Sequence, residues 1–387
     1  KMRPAVQSAI LLIVFLVHPL DALKFLAYSP MFARSHSTYI GKLADILVDA
    51  GHEVVYVMPV VNKKMGIVGS ERARVLTLPQ SAAALSLEQK MEQEGGFNHD
   101  AWRAGSMFKL IGVLTDLTDM WIAQCDDNLK QPGLVEQLRK EKFDAAFGES
   151  MDMCFFPLMK LVGIENFALT QSLVAFDGTF PMSGAPAVPS YVPGMLAYYD
   201  DQMTFGERFA NAFSHLATVV LSERIFFAPV NAALKKWQLD MPHIMDMASQ
   251  NSLVFMNAEP LIDFPKVTTH KVIDIGGITV SSGSEPLNKT WDEIMSRRPK
   301  TVLMSFGSVA KSSMMPAEYK ESIRAAFSRF PDVTFIWKYE SPEDDIGKGI
   351  PNIVPVTWVP QNDMLYDPRL SLFITHCGAG STTEATV

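Results

Sequence analysis

The sequence is poor in cysteine and in charge for a chain of 387 residues. Its three cysteines, Cys125, Cys154 and Cys377, provide no framework of paired disulfide bridges of the kind that holds small secreted domains together. Only 20% of the residues are Asp, Glu, Lys or Arg, and the formal net charge is −8. Because there is also no dense run of Lys or Arg, the composition argues against nucleic-acid binding.

Several common catalytic motifs are missing as well. The chain has no Asp-x-Asp triplet, no phosphate-binding loop ending in Gly-Lys-Ser or Gly-Lys-Thr, and no Cys/His cluster with the spacing of metal ligands. The first strand-helix-strand region, residues 24–58, lacks the G-x-G-x-x-G of a nicotinamide-dependent oxidoreductase. Metal-dependent nucleotide chemistry and hydride transfer are therefore disfavoured.

Apolar runs are short. Residues 9–17 are apolar, follow the basic start Lys1-Met2-Arg3 and precede Ala22, which is the pattern of a secretory signal peptide. Nine apolar residues are too few to cross a bilayer, and the rest of the chain has no longer run. We therefore predict a signal peptide over residues 1–22 and no membrane-spanning segment after it.

Short predicted strands alternate with helices along the chain, which is typical of parallel α/β sheets. Strands are predicted at 24–28, 53–58, 75–78, 142–147, 166–171, 251–257, 272–278, 301–306, 333–338, 353–356 and 370–375. The length predicts two domains, and we place the change between them at residues 263–271. The strand at 272–278 then falls in the second domain.

The stretch near the end of the sequence carries the most specific pattern. The predicted strand 370–375 is apolar, as expected of a strand buried on both faces. A small-residue turn follows, and Ser381 or Thr382 is predicted to cap the next helix. Such a helix N-terminus attracts phosphate.

This stretch, with the residues before it, resembles the signature of the UDP-glycosyltransferase superfamily, in its animal UDP-glucuronosyltransferase and glucosyltransferase branch. The residues that carry the resemblance are Trp358, Pro360, Gln361, Asp367, Pro368, His376, Gly378, Gly380, Ser381 and Glu384. A dinucleotide-binding fingerprint is the alternative for the turn, but it shares only a G-x-G with this sequence.

The resemblance implies the glycosyltransferase fold called GT-B, an α/β architecture of two Rossmann-like domains that face a cleft. We expect an N-terminal acceptor-binding domain over residues 23–268 and a UDP-sugar-binding domain over 269–387. In this family, the pair that binds the donor sugar and a membrane anchor follow the signature. We therefore expect the sequence to be C-terminally truncated, and the full-length protein to be anchored facing the lumen of the endoplasmic reticulum.

The resemblance also assigns the donor, UDP-glucuronate or UDP-glucose, to particular residues. Trp358 is expected to stack on uracil, and Gln361 and Glu384 to hold uridine. The residues expected at the leaving diphosphate are Ser305, Gly307, Ser308, His376, Gly378, Gly380 and Ser381. No metal is expected in this chemistry.

A base is predicted near the start of the chain. His36 lies after the first predicted strand, at the edge of the sheet where α/β proteins bind ligands, and a helix N-terminus there favours the neutral imidazole. Position alone favours a helix cap or a solvated side chain, whereas the resemblance implies the catalytic base. The family's aspartate partner aligns with Glu149, and Asp152 is an alternative partner.

Two functions therefore remain. One is inverting transfer of a glucuronosyl or glucosyl group to a hydroxyl of a small lipophilic acceptor, by a protein that can also be a homo-oligomer. The other is a lumenal UDP-sugar-binding protein, or an inactive fragment, without transfer activity. Two further features are an N-glycosylation sequon at Asn288 and an amphipathic stretch at 205–227, predicted to be a core helix with lipid contact as the alternative.

Overall fold

The structure is a computed structural model, and it describes residues 22–63, 69–93, 102, 107–173, 177–280, 283–307 and 310–386. Residues 1–21 of the predicted signal peptide and the predicted donor residue Ser308 lie outside the described residues. Two parallel β-sheets organise the part that is described.

The first sheet has seven strands in the order β3-β2-β1-β4-β5-β6-β7. The strands are β1 (Lys24–Tyr28), β2 (Glu53–Pro59), β3 (Arg74–Leu78), β4 (Ala145–Glu149), β5 (Phe167–Gln171), β6 (Leu253–Met256) and β7 (Val272–Asp274). All neighbouring strands pair in parallel. Because the strand order reverses at β1, the chains leaving β1 and β4 diverge and open a crevice at the carboxyl edge of the sheet.

Helices precede and follow these strands, as the alternating pattern predicts. They are α1 (Arg34–Asp49), α2 (Ala82–Gln93), α3 (Met107–Lys130), α4 (Leu134–Lys140), α5 (Phe155–Val162), α6 (Phe180–Ser183), α7 (Phe205–Ser222), α8 (Ala228–Lys236) and α9 (Ile244–Ser249), with a π-helical turn at Glu223–Phe227. Leu26 of β1 and Phe155 of α5 are fully buried in one apolar cluster. This apolar cluster packs α5 against β1 of the first sheet.

The second sheet has four parallel strands in the order β10-β9-β8-β11. Its elements are β8 (Lys300–Ser305), β9 (Val333–Lys338), β10 (Ile353–Val356), β11 (Leu370–Thr375), α10 (Lys289–Met295), α11 (Ala317–Phe327), α12 (Gln361–Tyr366) and α13 (Ala379–Thr386). Trp337, the penultimate residue of β9, is fully buried and packs edge-on against Phe327 of α11. The prediction of an α/β fold with two parallel sheets is confirmed.

The first sheet extends further along the chain than we predicted. β7 pairs in parallel with β6, with Val254 opposite Val272, so the strand that we placed in the second domain belongs to the first sheet. The predicted domain boundary at 268/269 therefore has to move beyond Asp274. Strand pairing, and not the change in composition, determines where the first sheet ends. The assignment of acceptor and donor to the two domains stays a prediction.

The last strand and helix differ from our predictions in two details. Among the described strands, β11 pairs with β8 alone, and Leu372 is 55% exposed, so β11 is not buried on both faces. An apolar run cannot distinguish a central strand from an edge strand. In addition, α13 begins at Ala379, which places Ser381 and Thr382 within its first turn and not at the cap.

The helix α7 does not lie in the core. Thr204 and Glu207 form a capping box at its start, but the apolar stripe beyond faces outward, and our core prediction is wrong. The exposed side chains of this stripe are Phe205, Phe209, Phe213, Leu216, Val219 and Val220. Periodicity reveals a stripe but not what covers it.

The inward face of α7 is polar. Asn211 donates hydrogen bonds to the carbonyls of Pro189 and Val192, and the imidazole of His215 lies 2.5 Å from the carboxylate of Asp177. These contacts attach the proline-rich loop at 189–194 to the helix, which explains why the apolar stripe points away.

The helical run Phe205–Lys236 is relevant to the prediction that no membrane-spanning segment follows residue 22. Within the described part of the chain, it is long and apolar enough to cross a membrane by length and composition alone. Our count of uninterrupted apolar residues missed this run because polar side chains interrupt it.

One disulfide bridge connects Cys125 of α3 to Cys154, which directly precedes α5. We expected no framework of paired bridges, and the structure has this single bridge, with Cys377 as an exposed free thiol. Pairing depends on which helices pack together, and the spacing of three cysteines does not reveal that. Both bridged residues lie in the apolar core of the first sheet.

Removal of the bridge should destabilise the protein. For the double variant Cys125→Ala/Cys154→Ala, we expect the free energy of unfolding to fall by about 2–4 kcal/mol, because the unfolded chain gains conformational freedom. Urea denaturation without reductant measures the change. Cys377→Ala is the matched control, with a change within about 0.5 kcal/mol. Equal stability of the double variant and the unmodified protein would contradict the bridge.

Candidate active site

His36 and Glu149 meet in the crevice between β1 and β4. His36 lies in the first turn of α1, and Glu149 is the last residue of β4. The Nδ1 atom of His36 is 2.7 Å from both Oε1 and Oε2 of Glu149. Parallel pairing of the two strands brings these side chains together although they are 113 residues apart in the sequence.

The pair stabilises its own charged form. Burial lowers the pKa of His36, whereas the charge of Glu149 and its hydrogen bond raise it. The two contributions from Glu149 together outweigh burial, so the net pKa lies above the ordinary value of 6.5. Burial raises the pKa of Glu149, while His36 and then Ser172 lower it to a net value below 4.5. We expected the helix N-terminus to favour neutral imidazole, but the buried carboxylate outweighs it.

The contact with Glu149 also selects one tautomer of His36. A carboxylate can only accept a hydrogen bond, so Nδ1 carries the proton that points at Glu149. The other ring nitrogen, Nε2, is then the atom that can accept a proton from a substrate.

Asp152 has different partners. Its Oδ2 atom accepts a hydrogen bond from the hydroxyl of Tyr28 at 2.8 Å, and its Oδ1 atom accepts one from the backbone N–H of Cys154 at 2.9 Å. Burial raises the pKa of Asp152 to about 6. Of the two carboxylates left open by the sequence, the structure places Glu149 against His36.

Ser172 is a third member of this cluster that we did not identify from the sequence. It directly follows β5, and its hydroxyl and backbone N–H both donate to Oε1 of Glu149. Its Oγ atom is also 2.8 Å from Nδ1 of His36. Only the strand order shows that the end of β5 adjoins the end of β4, so the sequence pattern gives no direct signal for Ser172.

A second cluster of predicted residues lies on the second sheet. Gln361, the first residue of α12, donates from Nε2 to Oγ of Ser381 at 3.1 Å and to the carboxylate of Glu384. Burial raises the pKa of Glu384, and the hydrogen bond from Gln361 opposes this. The structure therefore brings together three residues that we predicted to bind the donor.

Trp358 lies three residues before Gln361 and is 55% exposed. Two cations contact its ring: the guanidinium carbon of Arg34 is 4.9 Å from the ring centroid, and Nζ of Lys338 is 5.4 Å from it. Arg34 stands two residues before His36, so this contact connects the start of α1 to the half of the chain that contains the second sheet. We had not predicted a role for either cation.

His376 packs against two glycines. A Cβ atom at Gly307 would lie 2.9 Å from the imidazole Cε1, and one at Gly378 would lie 2.7 Å from Nε2. Gly307 also has a φ of +75°, which favours glycine. Burial, and then the charge of Lys338, lower the pKa of His376 below 6.5, so its ring is neutral near pH 7.

Ser305 and Gly380 are the remaining residues that we predicted to bind the UDP-sugar. Ser305 ends β8, and its buried hydroxyl has no hydrogen-bond partner among the described residues. Gly380 lies in the first turn of α13, and a Cβ atom added there would meet open space. The Ser305 hydroxyl therefore makes no hydrogen bond to the cluster of Gln361, and Gly380 adjoins that cluster as the residue before Ser381.

A cavity of about 600 Å³ lies beside the His36–Glu149 pair and reaches both sheets. Ser150 and Leu173, which directly follow Glu149 and Ser172, line it on one side, and Cys377 and Thr382 line it on the other. Most of the remaining wall is apolar and includes Leu110, Leu114, Trp121, Met182, Leu221 and Phe226. Residues that directly follow Glu149 and Ser172 and residues that follow β11 therefore line one cavity.

No group of three or more His, Cys, Asp or Glu side chains within the described residues is arranged to hold a metal ion. Metal-independent chemistry stays a prediction.

The fold defines the class of protein. The glycosyltransferase of kitacinnamycin superimposes with a TM-score of 0.56 at 15% identity, covering 94% of this chain and 78% of that chain. UGT89C1 of Arabidopsis thaliana, complexed with UDP-L-rhamnose, gives 0.51 at 13% identity, with 94% and 77% coverage. The two sheets and their cleft therefore form a GT-B glycosyltransferase fold.

Sequence comparison then gives the family. The model described as UDP-glucoronosyl and UDP-glucosyl transferase matches residues 26–387. Caenorhabditis elegans ugt-48 is 28% identical over 368 residues, covering 94% of this chain and 69% of the relative. Human UDP-glucuronosyltransferase 1A9 is 28% identical over 356 residues, covering 91% and 65%. The chain belongs to this UDP-glycosyltransferase family, as the resemblance predicted.

Loss of the Trp358 ring should weaken nucleotide binding. For Trp358→Ala we expect the free energy of UDP binding to become about 1–3 kcal/mol less favourable, because the resemblance implies that the uracil ring stacks on Trp358. Isothermal titration with UDP measures the change. Tyr319→Ala, which removes another half-exposed aromatic ring from the same half of the chain, should leave the affinity unchanged. Equal losses in both variants would contradict a stacking role for Trp358.

Proposed function

We propose that this protein transfers a glucuronosyl or glucosyl group from a UDP-sugar to a hydroxyl of a small lipophilic acceptor, with inversion at the anomeric carbon. One observation carries the proposal: the His36–Glu149 pair, in which Glu149 is buried and His36 partly buried, adjoins residues that line an apolar cavity, and the turn after β11 lines the same cavity. An acid–base pair and a UDP-binding element thus share one cleft.

The base step follows from the geometry of the pair. Glu149 accepts the hydrogen bond from the Nδ1–H of His36. The Nε2 atom of His36 then accepts the proton of the acceptor hydroxyl, while the oxygen of that hydroxyl attacks the anomeric carbon. The imidazolium that forms is stabilised by a carboxylate 2.7 Å away in a buried setting. The bond from the anomeric carbon to the diphosphate breaks, and UDP leaves with the electron pair.

The leaving diphosphate is stabilised on the second sheet. His376 is neutral near pH 7 and can donate a hydrogen bond, and the N-terminus of α13 offers unpaired backbone N–H groups. Lys338 supplies positive charge between His376 and Trp358. Gln361 and Glu384, already in contact with each other, offer polar groups to the uridine.

The shape and chemistry of the cavity favour a lipophilic acceptor. A volume of about 600 Å³ accommodates a molecule of the size of a typical drug, and the wall offers few polar groups. The charged side chains that line the cavity are Glu259 and Asp263, both acidic. We therefore propose an uncharged acceptor in preference to an anion, which these carboxylates would repel.

We further propose that the protein works in the lumen of the secretory pathway. Two observations support this: the basic and apolar start of the sequence, and the bridge between Cys125 and Cys154. Disulfides persist in oxidising compartments and are rare in the cytosol.

Replacement of the base should abolish most turnover without affecting donor binding. For His36→Ala we expect kcat to fall by about 10²- to 10⁴-fold, the usual contribution of a general base, while the Kd for UDP stays unchanged. UDP release measured with UDP-glucuronate and with UDP-glucose gives the rate, and calorimetry gives the affinity. The control is His270→Ala, an exposed histidine in a loop. UDP binding without UDP release in the unmodified protein would favour a binding protein over a transferase.

The pH dependence should report the partner of the base. Glu149 raises the pKa of His36, so in Glu149→Gln the pKa of His36 falls. The acidic limb of the kcat/KM profile should therefore move to lower pH, because the base stays unprotonated further into acid. The plateau should drop as well, since the imidazolium loses its counter-charge. A limb that stays in place or moves to higher pH would rule out this role for Glu149.

A further inference from the structure

We propose that Ser172 is a positioning residue that clamps the carboxylate of Glu149 in the orientation that His36 requires. The inference rests on the proposed function, because it concerns how the base is held. It also accounts for a departure from the family pattern: this chain has glutamate where the resemblance expects aspartate.

Both donors of Ser172 converge on a single oxygen atom. Its hydroxyl and its backbone N–H, the latter at 3.3 Å, donate to Oε1 of Glu149. Glu149 is only 2% exposed, and a buried carboxylate without hydrogen-bond donors is strongly disfavoured. Ser172 therefore supplies part of the solvation that this carboxylate loses on burial.

The longer side chain explains why a clamp is needed. Glutamate has one more rotatable bond than aspartate, so its carboxylate can take more orientations at the end of β4. Both carboxylate oxygens of Glu149 lie 2.7 Å from Nδ1 of His36. This symmetric contact requires a fixed orientation of the carboxylate relative to the imidazole ring. Fixing Oε1 with two donors from the neighbouring strand end removes this freedom.

Ser172 is itself held by the next strand. The side-chain amide of Asn257, directly after β6, donates to the carbonyl of Ser172 at 3.0 Å, and its backbone N–H donates to the carbonyl of Gln171 at 2.9 Å. Ser172 and Asn257 are both buried. The ends of three adjacent strands thus form one hydrogen-bonded chain that leads to the base.

A double-mutant cycle separates positioning from a general structural effect. In the unmodified background we expect Ser172→Ala to lower kcat by about 10- to 100-fold, the usual effect of losing a hydrogen bond to a charged group, with the KM values for acceptor and donor within about twofold. In the Glu149→Gln background the same substitution should cause no further loss, because the carboxylate that Ser172 orients is gone.

Two additional variants control for folding. Ser183→Ala removes another buried hydroxyl, which donates to the carbonyl of Phe180, and should leave kcat within about twofold. Asn257→Ala releases Ser172 without changing it. It should give a smaller kcat loss that likewise vanishes in the Glu149→Gln background. This variant supplies the test where Ser172→Ala lowers the melting temperature too far for assay.

The outcomes distinguish this inference from the proposed function. Wild-type kcat in folded Ser172→Ala, or an equal fold-loss in both backgrounds, would overturn the positioning role while leaving the His36–Glu149 mechanism intact. If His36→Ala and Glu149→Gln themselves kept full turnover, the proposed mechanism would fail first. Loss in Ser172→Ala that disappears without the carboxylate supports the clamp.

Discussion

The parallel pairing of β1 with β4 is the constraint on which the site depends. Because β2 lies on the other side of β1, this pair forms the point where the strand order reverses, and the chains that leave β1 and β4 separate there. The segment after β1 carries His36 at the start of α1, and Glu149 is the last residue of β4. β5 and β6 then bring Ser172 and Asn257 to the same edge.

The second sheet completes the site from across the cleft. Arg34 lies over the ring of Trp358, and the indole N–H of Trp102 donates to the carbonyl of Lys311 at 2.8 Å. Trp102 also packs edge-on against Phe306, directly after β8, with the ring centroids 4.8 Å apart. Contacts between residues far apart in sequence thus connect the half that contains His36 to the half that carries the family signature.

Much of this arrangement could be predicted from local patterns. The bounds of β1, β9, β10 and β11 agree with the apolar runs in the sequence, and the resemblance selected Gln361, Ser381 and Glu384, which are in contact. What failed depends on long-range packing: the pairing of β7, the disulfide, the exposed stripe of α7 and the edge position of β11. Ser172 belongs to this group, because its role follows from which strand ends are neighbours.

The charges around the two site histidines assign them different chemistry. Both imidazoles are partly removed from water, which by itself lowers their pKa. Glu149 reverses the effect at His36, so the net pKa of this ring lies above 6.5. Lys338 adds to the effect at His376, so that ring stays neutral near pH 7, with one N–H donor and one acceptor nitrogen. Opposite neighbours on the two sheets thus shift the pKa values of the two imidazoles in opposite directions, upward at His36 and downward at His376.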